Sequence, residues 1–185
     1  MRVVAGIAKG HTLRAPRGME TRPTSDKVRE AIFGILGGAF VDEAVLDLFA
    51  GTGALGIEAL SRGAERAVFV ERRPPACAVI RQNLAHTKFE DRSRVMCMTV
   101  ERALQVLTEP FGLVLLDPPY AYPNVQGILE LVGGARVVDT GTIVVFEHSP
   151  RVTAAKRYNR LVLKRQRVYG DTAVSIYAVP EEQNA

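Results

Sequence analysis

Val45-Leu46-Asp47-Leu48-Phe49-Ala50-Gly51-Thr52-Gly53-Ala54-Leu55-Gly56 decides the fold. Five residues form a short apolar run with one acid inside it, the length of a buried strand. Glycines follow at once. Ala54 to Arg62 then carries Leu55, Ile57, Ala59 and Leu60 and stops at Gly63, a helix with a glycine end. A strand, a glycine turn and a helix in that order are the first part of a βαβ unit.

Working outward, the same alternation continues. Strands are expected at Ala67–Val70, Arg94–Met98, Leu113–Leu116 and Thr142–Phe146, with helices from Pro74 to His86, Glu101 to Leu107 and Tyr122 to Leu131 between them. Strands every 20–25 residues separated by helices (counted along the sequence) mean a parallel sheet. The end differs: Arg160–Lys164 and Thr172–Tyr177 flank Gly170-Asp171, an antiparallel hairpin. The front differs too. Residues 2–14 read as a small hairpin around Lys9-Gly10, followed by a helix from Asp26 to Leu36 with Thr24 or Ser25 as its cap. The expected organisation is a basic extension over 1–38, an α/β domain over 39–180 and a frayed tail over 181–185.

Composition bounds the rest. The 185 residues are 47% hydrophobic, enough for one domain with a real core. No apolar stretch approaches the roughly 18 residues of a membrane span, and the N-terminus lacks a signal-peptide core. The expected address is the cytoplasm, with no membrane partner. Cys77 and Cys97 form no metal-ligand spacing and are read as buried, reduced, apolar residues; no metal is expected, since His11, His86 and His148 are scattered. Charge is unevenly laid out. Residues 1–38 hold seven Lys/Arg against three Asp/Glu, and residues 148–170 hold seven against none, around an acidic middle of ten against fourteen. Such clustering is the footprint of a phosphate-rich partner. The C-terminal run Lys156, Arg157, Arg160, Lys164, Arg165 and Arg167 is also what an exposed hairpin strand would carry, so the N-terminal arm is given more weight.

Two motifs carry chemistry. Gly51-x-Gly53-x-x-Gly56 matches the dinucleotide fingerprint in the right context, and Glu71 closes the second strand 20 residues after Gly51, within reach of a ribose. NAD and S-adenosylmethionine compete for such a loop. Asp47 at its head favours the cationic ligand over a pyrophosphate, although it also reads as a brace for glycine amides. Asp117-Pro118-Pro119-Tyr120 closes the fourth strand. Two prolines remove two backbone donors and stiffen the turn. The Asp117 carboxylate and the Pro118 carbonyl then offer two acceptors to one planar NH2 group, with the Tyr120 ring beside it. A plain strand-ending turn is the competing reading.

Asp47-x-Phe49-x-Gly51-x-Gly53, Glu71 and Asp117-Pro118-Pro119-Tyr120, in this order, resemble the class I S-adenosylmethionine-dependent methyltransferases of amino groups. Gly6-x-x-Lys9-Gly10-x-x-Leu13-x-x-Pro16-x-Gly18 and Thr21-Arg22-Pro23-Thr24-x-Asp26-x-Val28-Arg29-Glu30-Ala31-x-Phe33 are similar to the small bacterial 16S ribosomal RNA guanine-N2 methyltransferases. The resemblance implies a Rossmann-like fold, mostly parallel and seven-stranded, with a C-terminal antiparallel hairpin and an N-terminal hairpin-plus-helix extension. It implies S-adenosylmethionine held by Asp47, Phe49, Gly51, Gly53, Glu71, Thr99, Val100 and Asp117, and catalysis by Asp117, Pro118 and Tyr120. Arg2, Lys9, Arg14, Arg17, Arg22, Thr24 and Lys27 would contact RNA. The implied partner is 16S rRNA in an assembling small ribosomal subunit, met by a monomer. Relatives place Asp or Asn where this chain has Thr99-Val100-Glu101. DNA adenine or a protein glutamine is the alternative acceptor; a non-catalytic RNA-binding module and an NAD oxidoreductase are the other readings.

Overall fold

The computed structural model describes residues 1–16 and 25–181. Its centre is an eight-stranded sheet made of β1 (Ala44–Leu48), β2 (Arg66–Glu71), β3 (Ser93–Cys97), β4 (Leu113–Leu116), β5 (Ile143–His148), β6 (Arg157–Tyr158), β7 (Leu161–Tyr169) and β8 (Thr172–Ala178). The order is β3-β2-β1-β4-β5-β8-β7-β6. The first five strands run parallel, and β8, β7 and β6 join antiparallel. The sheet therefore has one more strand than the seven expected. The extra one is the two-residue β6, too short to leave a pattern in sequence.

Strands β1 and β4 are buried along their whole length, which is why β4 reads as an unbroken apolar run and β1 as one interrupted only by Asp47, rather than as alternation. Helices α1 (Asp26–Leu36), α2 (Ala54–Ser61) and α3 (Pro74–Thr87) cover one face of the sheet; α4 (Val100–Val106) and α5 (Val125–Gly134) cover the other. Each face has its own core. Phe33, Ile57, Phe69, Leu115 and Ile176 meet on the first, and Leu48, Val70, Leu129, Phe146 and Tyr177 on the second. Helix α1 has its expected bounds, capped by the Ser25 side chain, which accepts from the Val28 amide. Helix α5 starts three residues later than the sequence suggested, because Asn124 supplies the cap after Pro123.

The N-terminal hairpin expected over 2–14 is present in short form. Arg2 and Thr12 form an antiparallel bridge, and the Val3, Gly10 and Leu13 amides donate to the His11, Val3 and Met1 carbonyls at 3.0, 2.9 and 3.0 Å. Other amides bond to α2: Val4 and Ala5 donate to the buried Glu58 carboxylate at 2.8 and 2.9 Å, and Ala8 donates to Ser61 Oγ at 2.9 Å. The hairpin is thus laid on α2. Gly6 is required there, since a β-carbon would stand 1.8 Å from the Ser61 carbonyl oxygen, at a positive φ of 80°. The tail residues 182–185 lie outside the described residues.

Candidate active site

In the parallel part of the sheet the strand order reverses between β1 and β4. Ligands in open α/β sheets bind beyond the carboxyl ends of the strands at such a switch point. Both motifs lie there. The loop from Phe49 to Gly53 leaves the end of β1, and Asp117-Pro118-Pro119-Tyr120 leaves the end of β4 beside it, with Leu48 and Leu116 in register. They open on one cavity of about 930 Å³. Asp47, Phe49, Gly51, Glu71, Thr99, Val100, Asp117, Pro118 and Tyr120 all line it. Gly53 does not; it caps α2 in a left-handed conformation at φ 79° and shapes the loop from below.

The acids are set apart by environment. Asp47 is 1% exposed, and its Oδ2 accepts from the Gly56 amide at 2.9 Å. Burial pushes its carboxyl up to about 7; the Gly56 bond opposes this, while the charges of Asp117 and Glu71 add to it. Asp47 thus braces a glycine amide and also lines the cavity. Glu71 is also buried. One of its oxygens accepts from the Gly51 amide at 3.1 Å, and the other from the Arg73 amide at 2.9 Å and the Arg73 guanidinium at 3.2 Å. A carboxylate has about four acceptor positions, so a ribose hydroxyl can still bond to it.

In the tetrad, Asp117 is half-buried, Pro118 buried, and Tyr120 51% exposed. The Pro119 carbonyl accepts from the Tyr122 amide at 2.8 Å. The Pro118 carbonyl is the one that has no hydrogen bond among the described residues. The Tyr120 hydroxyl bonds to Thr172 Oγ1 at 3.1 Å and donates to the Asp171 carbonyl at 3.2 Å, tying the tetrad to the β7–β8 turn.

Sequence reasoning missed Tyr122. Its ring meets Phe49 edge-to-face at 5.1 Å, and its hydroxyl donates to Glu101 in a short hydrogen bond. Burial and this bond push the phenol up to about 12, and the same bond holds the Glu101 carboxyl below its usual range. The available signal was an aromatic residue two positions past the tetrad. Thr99 accepts from the Arg102 amide at 3.3 Å and so caps α4, and Thr99, Val100 and Glu101 all line the cavity. Asn83 is a brace: its amide nitrogen donates to the Thr52 and Arg14 carbonyls at 2.9 and 3.0 Å, and its oxygen accepts from the Arg14 amide at 2.8 Å.

Of the basic arm, Arg2, Arg14 and Lys27 are exposed, and Arg2 lies 3.6 Å from Asp26. Lys9 is exposed but sits in the turn packed on Ser61, at the opposite end of α2 from the glycine loop. An eight-residue helix separates the two by about 12 Å. Arg17, Arg22 and Thr24 lie outside the described residues. Cys77 is buried as expected, but Cys97 is exposed, because β3 is the sheet's edge strand. Among the described residues no group of His, Cys, Asp and Glu could hold a metal ion, and no helix is long and apolar enough to cross a membrane.

A doubly wound sheet with a glycine loop, two buried acids and an Asp-Pro-Pro-Tyr turn around one cavity defines a class I methyltransferase that uses S-adenosylmethionine. The known relatives agree. Residues 1–178 match the family described as "Conserved hypothetical protein 95". A Bacillus subtilis protein named "Putative rRNA methyltransferase YlbH" is 39% identical over 180 residues, covering 96% of this chain and 98% of that one. "Ribosomal RNA small subunit methyltransferase D" of Escherichia coli is 37% identical over 130 residues, 70% of this chain and 63% of its own length. The solved structure titled "Putative methyltransferase yhhF from Escherichia coli" superposes with a TM-score of 0.86 at 30% identity, covering 98% of this chain and 99% of that one. The chain belongs to the conserved hypothetical protein 95 family.

Proposed function

We propose that this methyltransferase modifies the exocyclic N2 amine of a guanine in 16S ribosomal RNA, within an assembling small subunit. The relatives' names support rRNA as the substrate class. One observation carries the chemistry: Asp117 and Pro118 line the same cavity as the Asp47–Gly51–Glu71 cradle. The donor set fits S-adenosylmethionine. A solved RNA methyltransferase of Salinibacter ruber with the same fold carries S-adenosylhomocysteine. Here Asp47, Phe49, Gly51 and Glu71, with Thr99, Val100 and Asp117, would hold the cofactor, and Gly53 would shape its loop. When bound, it supplies an electrophilic methyl carbon.

A guanine amine is a weak nucleophile because its lone pair is delocalised into the ring. Asp117 and Pro118 accept its two hydrogens, which draws the nitrogen toward tetrahedral geometry and turns the lone pair out of the ring. Positive charge grows on that nitrogen in the transition state, and the Asp117 carboxylate stabilises it there. Orientation of two bound reactants supplies most of the remaining gain. The exposed Tyr120 ring stacks on a base that has left its helix or loop. Arg2, Arg14 and Lys27, with Arg17, Arg22 and Thr24, contact the RNA backbone and fix its position. Proton loss from the methylated ammonium needs no strong base.

Asp117→Ala tests the assignment. Turnover with labelled cofactor should fall by at least 10²-fold, the scale seen when one oxyanion-hole-type contact is lost, far more than cofactor affinity, to which Asp117 is one contact of several. Normal turnover would exclude the role. Labelled transfer to duplex DNA or to a protein glutamine, in place of small subunits, would favour the other acceptors of the tetrad.

A further inference from the structure

The cationic C-terminal segment has a placement that the sequence did not reveal. Strand β7 exposes Lys164 through Val168 without interruption, so neither face of this stretch is covered. A register shift between Leu163 and Arg165 leaves Lys164 as the extra residue. Beyond it Arg165 pairs with Ile176 and Arg167 with Val174, and directly paired residues share a face of the sheet. Ile176 and Val174 belong to the core layer of α1 and α2, together with Tyr169 at its edge. Arg165, Arg167 and Tyr169 therefore form a row on the α1 side, about 6.7 Å apart per step.

That row ends at the active site. Tyr169 and Thr172 line the cavity, and Thr172 holds the Tyr120 hydroxyl. Ser25 and Val28 of the α1 start line it as well, and Lys27 is exposed between them. No ion pair to Lys164, Arg165 or Arg167 occurs among the described residues. Residues 148–170 contain no acid; Asp171 in the turn is the first. A solvated strand that needed only solubility would mix signs.

We propose that the exposed face of β7 is a phosphate track: Arg165 and Arg167 bind the backbone of the RNA strand leading away from the flipped nucleotide, with Tyr169 at the threshold of the cavity. This rests on the reading of RNA as the substrate. The occupant follows from charge and from continuity with the cavity. A second copy would set the same cations against each other.

The test compares wild type with Arg165→Ala/Arg167→Ala and with the charge-reversed Arg165→Glu/Arg167→Glu. Binding to unmodified 16S rRNA is measured from low to moderate salt. Turnover is measured on small subunits from cells lacking the enzyme, and cofactor affinity by calorimetry. Each phosphate contact contributes about 0.7–0.9 to the slope of log affinity against log salt, so the alanine pair should flatten it by about 1.4–1.8. KM for subunits should rise about tenfold or more, further for the reversed pair, with kcat and cofactor affinity within about twofold. An unchanged slope and KM overturns the track while leaving the methyltransferase reading intact. So does a change confined to sedimentation behaviour, which would make β7 a self-association surface. Wild type that binds no RNA at all removes the substrate reading, and the track with it.

Discussion

Asp47→Asn should make the protein more stable and a worse binder of its cofactor. Asp47 is almost completely enclosed, and burial carries its carboxyl from 3.8 to about 7. The native chain therefore holds a proton that the unfolded chain releases between these values. Stability from this group is fully present below about pH 4 and is lost progressively as pH rises through about 7. A rise of this size corresponds to about 4 kcal/mol once the carboxyl is ionised in the fold. Asparagine keeps an oxygen for the Gly56 amide and carries no charge. Its amide group needs a partner of its own, so the net gain at pH 8 should be about 2–4 kcal/mol, and near zero at pH 4. In a domain of this size that is on the order of 5–10 °C in Tm. S-adenosylmethionine should bind about tenfold more weakly, because a cation loses an opposing charge. Urea unfolding at both pH values and titration calorimetry give the two readouts. A variant no more stable than wild type at pH 8, or equally stabilised at pH 4, would refute the reasoning about the buried charge.

Two further outcomes follow from single contacts. Asn83→Ala should cost about 2–3 kcal/mol, because it strips partners from Arg14 and from the Thr52 carbonyl together; it should also raise KM for the cofactor, and an unshifted Tm would show that these bonds are not made in solution. A thiol reagent under native conditions should modify Cys97 quickly and Cys77 only after unfolding, since Cys77 is buried, its Sγ donates to the Glu71 carbonyl at 3.1 Å, and burial pushes it up to about 12; equal rates would contradict the packing of α3 on β3.

Local signals in the sequence were enough to place the elements that hold the site. The strand–glycine–helix stretch at 45–62, the run Leu113–Leu116 and the helix Asp26–Leu36 each carried an apolar pattern and a stop signal that tertiary packing did not override. What was not legible depended on distant partners. The N-terminal segment pairs within itself as its sequence suggested, yet the Val4, Ala5 and Ala8 amides are taken by Glu58 and Ser61, more than fifty residues away. Exposure of Cys97 depends on where β3 falls in the strand order, which no window of residues reports. The Tyr120 hydroxyl had no visible purpose until the β7–β8 turn brought Thr172 beside it.

The most direct measurement is the chemical identity of the product. Small subunits from cells lacking this protein are incubated with the enzyme and labelled S-adenosylmethionine, and the RNA is digested to nucleosides and mapped by mass. The account predicts label in N2-methylguanosine at one position of 16S rRNA, absent from the untreated subunits. Label in an adenosine, in a ribose or in protein, or no transfer by a folded enzyme that binds the cofactor, would contradict it.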